Sequence, residues 1–262
     1  MNDILKQIIE KKRVDLAEQK KKVPEEVIKK KAFGKQFYST FTASIMHPKF
    51  GDIALIAEIK LASPTVSSLG SEKEVLKRAK LYEEAEADAI SFITEKHYFK
   101  GDISFIPGIK KTVTLPVLQK DFVIDAYQIY EAKMTGSDAL LLIARIVDTK
   151  KLHDFVCLCQ ELEIEPVVEI QTEEDLEKII ASSPSVIAVN ARDLETFSVD
   201  VPRACELLKK IPDGYMKLGF SGIHSFKEVK QYREAGVEGV LVGTSLMKAG
   251  NIEEFLRSLR TE

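Results

Sequence analysis

The hydrophobic positions of this chain change period once, near residue 50. In the first twenty residues Ile4, Ile8, Ile9, Val14 and Leu16 recur at roughly helical spacing with lysines and glutamates between them. That spacing predicts an amphipathic helix ahead of any strand. From Asp52 onward, short apolar runs alternate with helical stretches. The pairs are Ile53–Ile59 with Lys73–Glu86, Ala89–Ile93 with Ile103–Lys111, Pro116–Lys120 with Tyr127–Thr135, and Ala139–Ile143 with Lys150–Leu162. They continue with Pro166–Glu169 and Glu174–Ala181, Val186–Asn190 and Pro202–Lys210, Met216–Gly219 and Phe226–Glu234, and Gly239–Val242 and Ile252–Leu259. Short apolar runs bounded by turn residues read as strands buried on both faces, and helices between them read as crossovers of a parallel sheet.

Eight strand–helix units is the number that closes a (β/α)8 TIM barrel, an α/β fold that occupies about 250 residues as one unit. The rival is an open doubly wound sheet, which normally carries a G-x-G-x-x-G turn after its first strand. Here that loop begins Ala62-Ser63-Pro64. The expectation is an N-terminal helical extension, residues 1–50, packed on a barrel formed by residues 51–262.

Charge narrows the partners. The 38 basic and 41 acidic residues interleave to a net charge of −3, so no broad basic field awaits nucleic acid. The runs Lys20-Lys21-Lys22 and Lys29-Lys30-Lys31 are diluted by Glu10, Asp15, Glu18, Glu25 and Glu26, and read as a solvated helix face. No stretch approaches the roughly 20 apolar residues that span a membrane, and the N-terminus lacks a signal-peptide pattern. Cys157, Cys159 and Cys205 have no metal-ligand spacing and are expected to be buried, inert, reduced thiols. A cytoplasmic protein without a metal site is the expectation.

Several strands end in a side chain foreign to an apolar core: Glu58 with Lys60 beyond it, Lys120, Glu169 and Asn190. In a barrel the carboxyl ends of the strands converge on one face, so these residues become neighbours. A lysine partly withdrawn from water is a candidate proton donor, and a buried glutamate a candidate base or acid. Glu58 and Lys60 share a side because strand side chains alternate, so one can hold the other. The competing reading is a structural ion pair plugging the barrel. Arg192 can grip a carboxylate in a bidentate fork or pair with Asp193 or Glu195. After the last two strands come Gly219-Phe220-Ser221-Gly222-Ile223 and Val242-Gly243-Thr244-Ser245. In barrels a phosphate commonly sits there, which makes Ser221, Gly222, Gly243 and Thr244 candidates, with Ser63 closing the cluster. Turn glycines and helix caps are the alternative.

These residues carry a resemblance. Glu58-Ile59-Lys60 with Ala62-Ser63-Pro64, Thr94-Glu95-Lys96, Lys120-Asp121-Phe122, Val168-Glu169, Asn190-Ala191-Arg192-Asp193-Leu194 and Ser221-Gly222-Ile223 follow one another as in the indole-3-glycerol phosphate synthases. The resemblance implies a carboxy-lyase of tryptophan biosynthesis. It would close the indole ring of 1-(2-carboxyphenylamino)-1-deoxyribulose 5-phosphate with loss of carbon dioxide and water, using no metal or organic cofactor. It further implies that Lys120 is the general acid, Glu169 the base or partner acid of dehydration, and Lys60 the partner of the substrate carboxylate. Glu58 would orient Lys60, Asn190 would hydrogen-bond the substrate, and Ser63, Gly222, Gly243 and Thr244 would hold phosphate. A monofunctional, monomeric enzyme with a phosphorylated small-molecule substrate is expected.

The chain departs from the family after the seventh strand, where the family usually reads Ser-Glu-Ser-Gly-Ile. Phe220 removes that carboxylate and is expected to set a ring in or above the pocket, and Gly219 to free space beside it. Val66 adds an apolar residue to the first loop. These three changes also fit a repurposed or engineered barrel, its pocket recut for an aromatic non-native substrate handled by a rim lysine or glutamate. A phosphate-ligand binding protein without turnover is the third reading.

Overall fold

The computed structural model describes residues 4–36, 38–64 and 66–260. Three helices come first: α1 Ile4–Lys22, α2 Glu25–Phe33 and α3 Phe41–Met46. Then β1 Ala54–Ile59, α4 Val75–Glu84, β2 Ala89–Ile93, α5 Phe105–Thr112, β3 Val117–Lys120, α6 Ala126–Thr135 and β4 Ala139–Ile143 alternate. The second half continues with α7 Thr149–Glu161, β5 Glu165–Ile170, α8 Glu174–Ser182, β6 Val186–Asn190, α9 Val201–Lys210, β7 Met216–Phe220, α10 Phe226–Glu234 and β8 Gly239–Val242. Two helices, α11 Thr244–Lys248 and α12 Ile252–Ser258, follow. The strands pair in chain order, all parallel, and β1 pairs with β8 to close the barrel.

Alternation along the strands divides the core into two layers. Leu55, Ala57 and Ile59 of β1 face the helices, with Ile90 and Phe92 of β2 and Val240 and Val242 of β8. Ala54 and Ile56 face the axis, with Ala89, Leu118, Leu141, Val167, Ala188, Leu218 and Phe220. A two-residue period then carries Glu58, Lys120, Glu169 and Asn190 to the inside as well. The inner layer is therefore apolar below and polar at the carboxyl ends, and this sets the place of the site.

α1 differs from its expected face. Leu5, Ile8, Lys12 and Leu16 are its buried residues, and Val14 is exposed. The helix buries a lysine because Lys12 Nζ meets Asp121 at 2.7 Å in the loop after β3. Burial opposes the charge on Lys12, but Asp121, with Glu95 and Asp15 behind it, outweighs the burial and raises the ammonium's pKa. The cysteines also differ: Cys159 and Cys205 are buried, but Cys157 is exposed. The apolar stripe of α7 is Leu152, Phe155, Val156 and Cys159, which leaves position 157 outside it. Among the described residues no helix is long and apolar enough to cross a membrane.

Candidate active site

A cavity opens at the carboxyl ends of the strands. Glu58, Lys60, Ser63, Val66, Lys120, Glu169, Asn190, Arg192, Ser221 and Thr244 line it, with an apolar wall of Ile93, Phe99, Phe122, Leu141, Ile143, Leu194 and Phe197. Residues far apart in sequence are thus gathered around one hollow, polar on one side and apolar on the other.

At its floor a single carboxylate bridges two ammonium groups. Lys60 Nζ lies 2.6 Å from Glu58 Oε2 and Lys120 Nζ 3.3 Å from Oε1. Glu58 is 3% exposed. Burial alone would raise its carboxyl, yet the two lysines hold it at about 2. Glu169 is equally enclosed, at 1% exposure, but has less support. Burial raises its carboxyl despite the charge of Lys120 and a hydrogen bond from Asn190, and among the described residues Oε2 has no hydrogen-bond partner. Asn190 uses its amide oxygen to accept the Arg192 backbone N–H at 3.0 Å.

Arg192 takes neither carboxylate offered by sequence proximity. Its guanidinium donates to the Phe197 carbonyl at 2.9 Å, while Arg145 approaches Asp193 at 3.7 Å and Glu195 at 3.1 Å. Asp193 instead accepts the N–H groups of Glu195 and Thr196 and folds its own loop. Arg192 remains on the cavity wall.

The glycines divide by direction. A side chain at Gly243 would land on the Glu58 carboxylate and crowd Lys60 Nζ, so this position must stay bare for the ion pair to form. Gly222, at φ +79°, would collide with Val201 and Val199. Gly219 points away from the cavity, and a Cβ there would enter the Tyr232 ring. It frees space for α10 rather than for a ligand, as its outward place on β7 requires. The Tyr232 hydroxyl donates toward the carbonyls of Phe220 at 3.1 Å and Ser221 at 3.0 Å, bracing a loop in which Ser221 has φ +70°. Phe220 is wholly buried in the inner layer and does not line the cavity. Of the three changes that suggested a recut pocket, only Val66 lies on the cavity surface.

Two supporting residues were not assigned roles from sequence. Glu95 is fully buried and accepts the backbone N–H groups of His97, Tyr98 and Phe99 at 2.7 to 3.0 Å, folding the loop after β2 so that Phe99 reaches the cavity. Its position in Thr94-Glu95-Lys96, directly after a strand, was the available signal. Tyr232 had only the indirect signal of Gly219. Among the described residues, no group of three or more His, Cys, Asp or Glu side chains is placed to hold a metal ion.

The geometry has parallels among known proteins. The family model for indole-3-glycerol phosphate synthase matches residues 5–259. An indole-3-glycerol phosphate synthase of Caldanaerobacter subterraneus subsp. tengcongensis is 43% identical over 212 residues, covering 80% of this chain and 82% of that protein. One from Lachnoclostridium phytofermentans is 36% identical over 268 residues, covering 98% and 99%. Solved structures share the fold at greater distance. A 3-hexulose-6-phosphate synthase superposes with TM-score 0.64 at 16% identity, over 79% of this chain and 98% of that one. A tryptophan synthase α-subunit variant from Pyrococcus furiosus gives 0.62 at 15%, over 80% and 98%. A family match that takes in α1 as well as all eight strands, with relatives this similar over most of their length, leaves one conclusion: the chain belongs to the indole-3-glycerol phosphate synthase family.

Proposed function

We propose that the chain closes the indole ring of 1-(2-carboxyphenylamino)-1-deoxyribulose 5-phosphate, releasing carbon dioxide and water. The observation that carries the reading is the Glu58 carboxylate spanning Lys60 and Lys120 at the barrel mouth, with a second, poorly supported carboxyl at Glu169. Two lysines and Arg192 against one firmly ionised glutamate suit a substrate with both a phosphate and a carboxylate. The apolar wall of Phe99, Phe122, Leu141 and Leu194 suits its aromatic ring.

Lys120 protonates the ketone oxygen as the aromatic carbon bearing the carboxylate bonds to the ketone carbon. Loss of carbon dioxide returns the electron pair of the broken bond to the ring. Dehydration follows, the hydroxyl leaving as water and a proton leaving the neighbouring carbon. Glu169 serves this step, because a carboxyl raised by burial binds a proton more readily at neutral pH than an exposed one. Lys60, oriented by Glu58, pairs with the substrate carboxylate, and Asn190 hydrogen-bonds the substrate. Ser63, Ser221, Gly222, Gly243 and Thr244 form the phosphate end, with hydroxyls of Ser63, Ser221 and Thr244 on the cavity lining.

Residues 1–50 and 51–262 act in this reading as one catalytic unit joined by Lys12 and Asp121, monomeric and cytoplasmic. The test is fluorescence detection of the indole product from the synthetic carboxyphenylamino substrate, with light scattering for the monomer. Product formation that Lys120→Met abolishes supports the reading; binding of substrate with no turnover by the wild-type chain overturns it.

A further inference from the structure

Among the described residues, two aromatic side chains lie in the eight strands. Phe92 faces the helices and Phe220 faces the axis. Phe220 is 0% exposed and lies outside the cavity lining, so a direct contact with substrate is not its role. What it does meet is Lys120, whose Nζ stands 5.0 Å from the ring centroid. β3 and β7 are four places apart in a closed ring of eight, so this contact reaches across the barrel axis.

The other charged contact of Lys120 is loose. Its 3.3 Å to Glu58 exceeds the roughly 2.7–2.9 Å of a strong charge-assisted hydrogen bond, whereas Lys60 holds the same carboxylate at 2.6 Å. Glu58 therefore grips Lys60 and only steers Lys120. An aromatic face attracts an ammonium through its quadrupole, and the attraction strengthens where water is excluded. Unlike a carboxylate, a ring cannot take the proton.

We propose that Phe220 is a positioning residue for the reaction: its ring face holds the Lys120 ammonium over the barrel axis and leaves its protons for the substrate. The proposal rests on the role given to Lys120 above, and goes beyond it by naming what fixes the lysine. It also accounts for a fully buried aromatic side chain directly beneath a polar site. A flat apolar ring belongs with Leu218 and Leu241 in the inner apolar layer while presenting negative π density to the Lys120 ammonium over its face.

The experiment compares wild type with Phe220→Leu, and with 4-fluoro- and 3,4,5-trifluorophenylalanine incorporated at position 220. Fluorination drains the π face while nearly preserving shape, so the fold is kept even if Phe220→Leu proves unstable. Expected is a stepwise fall of kcat with fluorine count and a loss of about 2- to 30-fold in Phe220→Leu, with KM near the wild-type value. In parallel, NMR of ε-¹³C-lysine-labelled protein should show the Lys120 ε-protons shifted upfield by the ring and returning downfield in Phe220→Leu. A flat kcat across the fluorinated series, or a Lys120 resonance indifferent to Phe220→Leu, overturns the proposal. Failure of the wild-type chain to form indole product would refute the reaction itself, and the lysine contact would then stand or fall on the resonance alone.

Discussion

Glu58 at the end of β1 and Glu169 in β5 are the same residue type, on the same inner face, at nearly the same depth, yet their charges are driven in opposite directions. Burial raises both carboxyls. Glu58 has two ammonium groups within 3.3 Å and is held at about 2, while Glu169 has the more remote charge of Lys120 and one amide and remains raised. Depth therefore does not decide what a buried carboxyl does; the number of cations touching it does. In this site it separates a fixed anion, which orders lysines, from a group free to exchange a proton.

The largest effect is expected from removing the exchanging group. Glu169→Gln keeps the shape and should lower kcat by about 10²- to 10⁴-fold, as loss of a general acid–base catalyst does. The same variant should unfold later than wild type above the ordinary carboxylate range. A carboxyl raised in the folded state supports the fold below the unfolded value, and that support is lost as pH rises through the folded value. Differential scanning calorimetry at pH 5 and pH 8 checks this: the advantage of Glu169→Gln should grow toward pH 8. An equal gain at both pH values would break the contrast.

Glu58→Gln should do the reverse. It leaves Lys60 and Lys120 together without their anion, a loss on the order of 3–5 kcal/mol for a broken buried pair, read from urea unfolding near neutral pH. The stability from Glu58 is present above the unfolded carboxyl value of about 4.3 and is lost as pH falls toward 2. On acidification, wild type should therefore lose its margin over Glu58→Gln. Gly243→Ala comes next, because its methyl would push the Glu58–Lys60 pair without removing it. Overpacking of this kind costs about 1–3 kcal/mol, and kcat should fall alongside stability.

Much of this contrast is legible in the sequence, for a definite reason. The eight apolar runs gave eight strands because a strand buried on both faces must be apolar throughout, and a period of two then placed Glu58, Lys120, Glu169 and Asn190 on one side. The direction of a glycine was not legible: Gly219 and Gly243 look alike in sequence, yet one makes room for Tyr232 and the other for an ion pair. Nor was the buried face of α1. Val14 continued the apolar pattern but is exposed, and Lys12 broke it but is buried, because Asp121, more than a hundred residues away, supplies its counter-charge. Arg192 had two acidic neighbours in sequence and chose a carbonyl, since Asp193 was already committed to its own turn and both acids face Arg145. Local pattern reports what an element is; it does not report which distant group completes it.

The finest adjustment concerns Asn190, which gives Glu169 a hydrogen bond that favours the ionised form. Asn190→Ala removes the bond and leaves the burial. The carboxyl should then rise further, because the hydrogen bond that favours its ionised form is gone while its burial stays. The acid limb of kcat should then move upward with the carboxyl, while the plateau falls through loss of the substrate hydrogen bond proposed for Asn190. The two changes separate in a pH–rate profile, because the limb reports the carboxyl and the plateau reports binding in the transition state. A plateau that falls with no movement of the limb would mean that Lys120 alone opposes the burial of Glu169, and the difference between the two carboxylates would then rest entirely on how near each lies to a lysine.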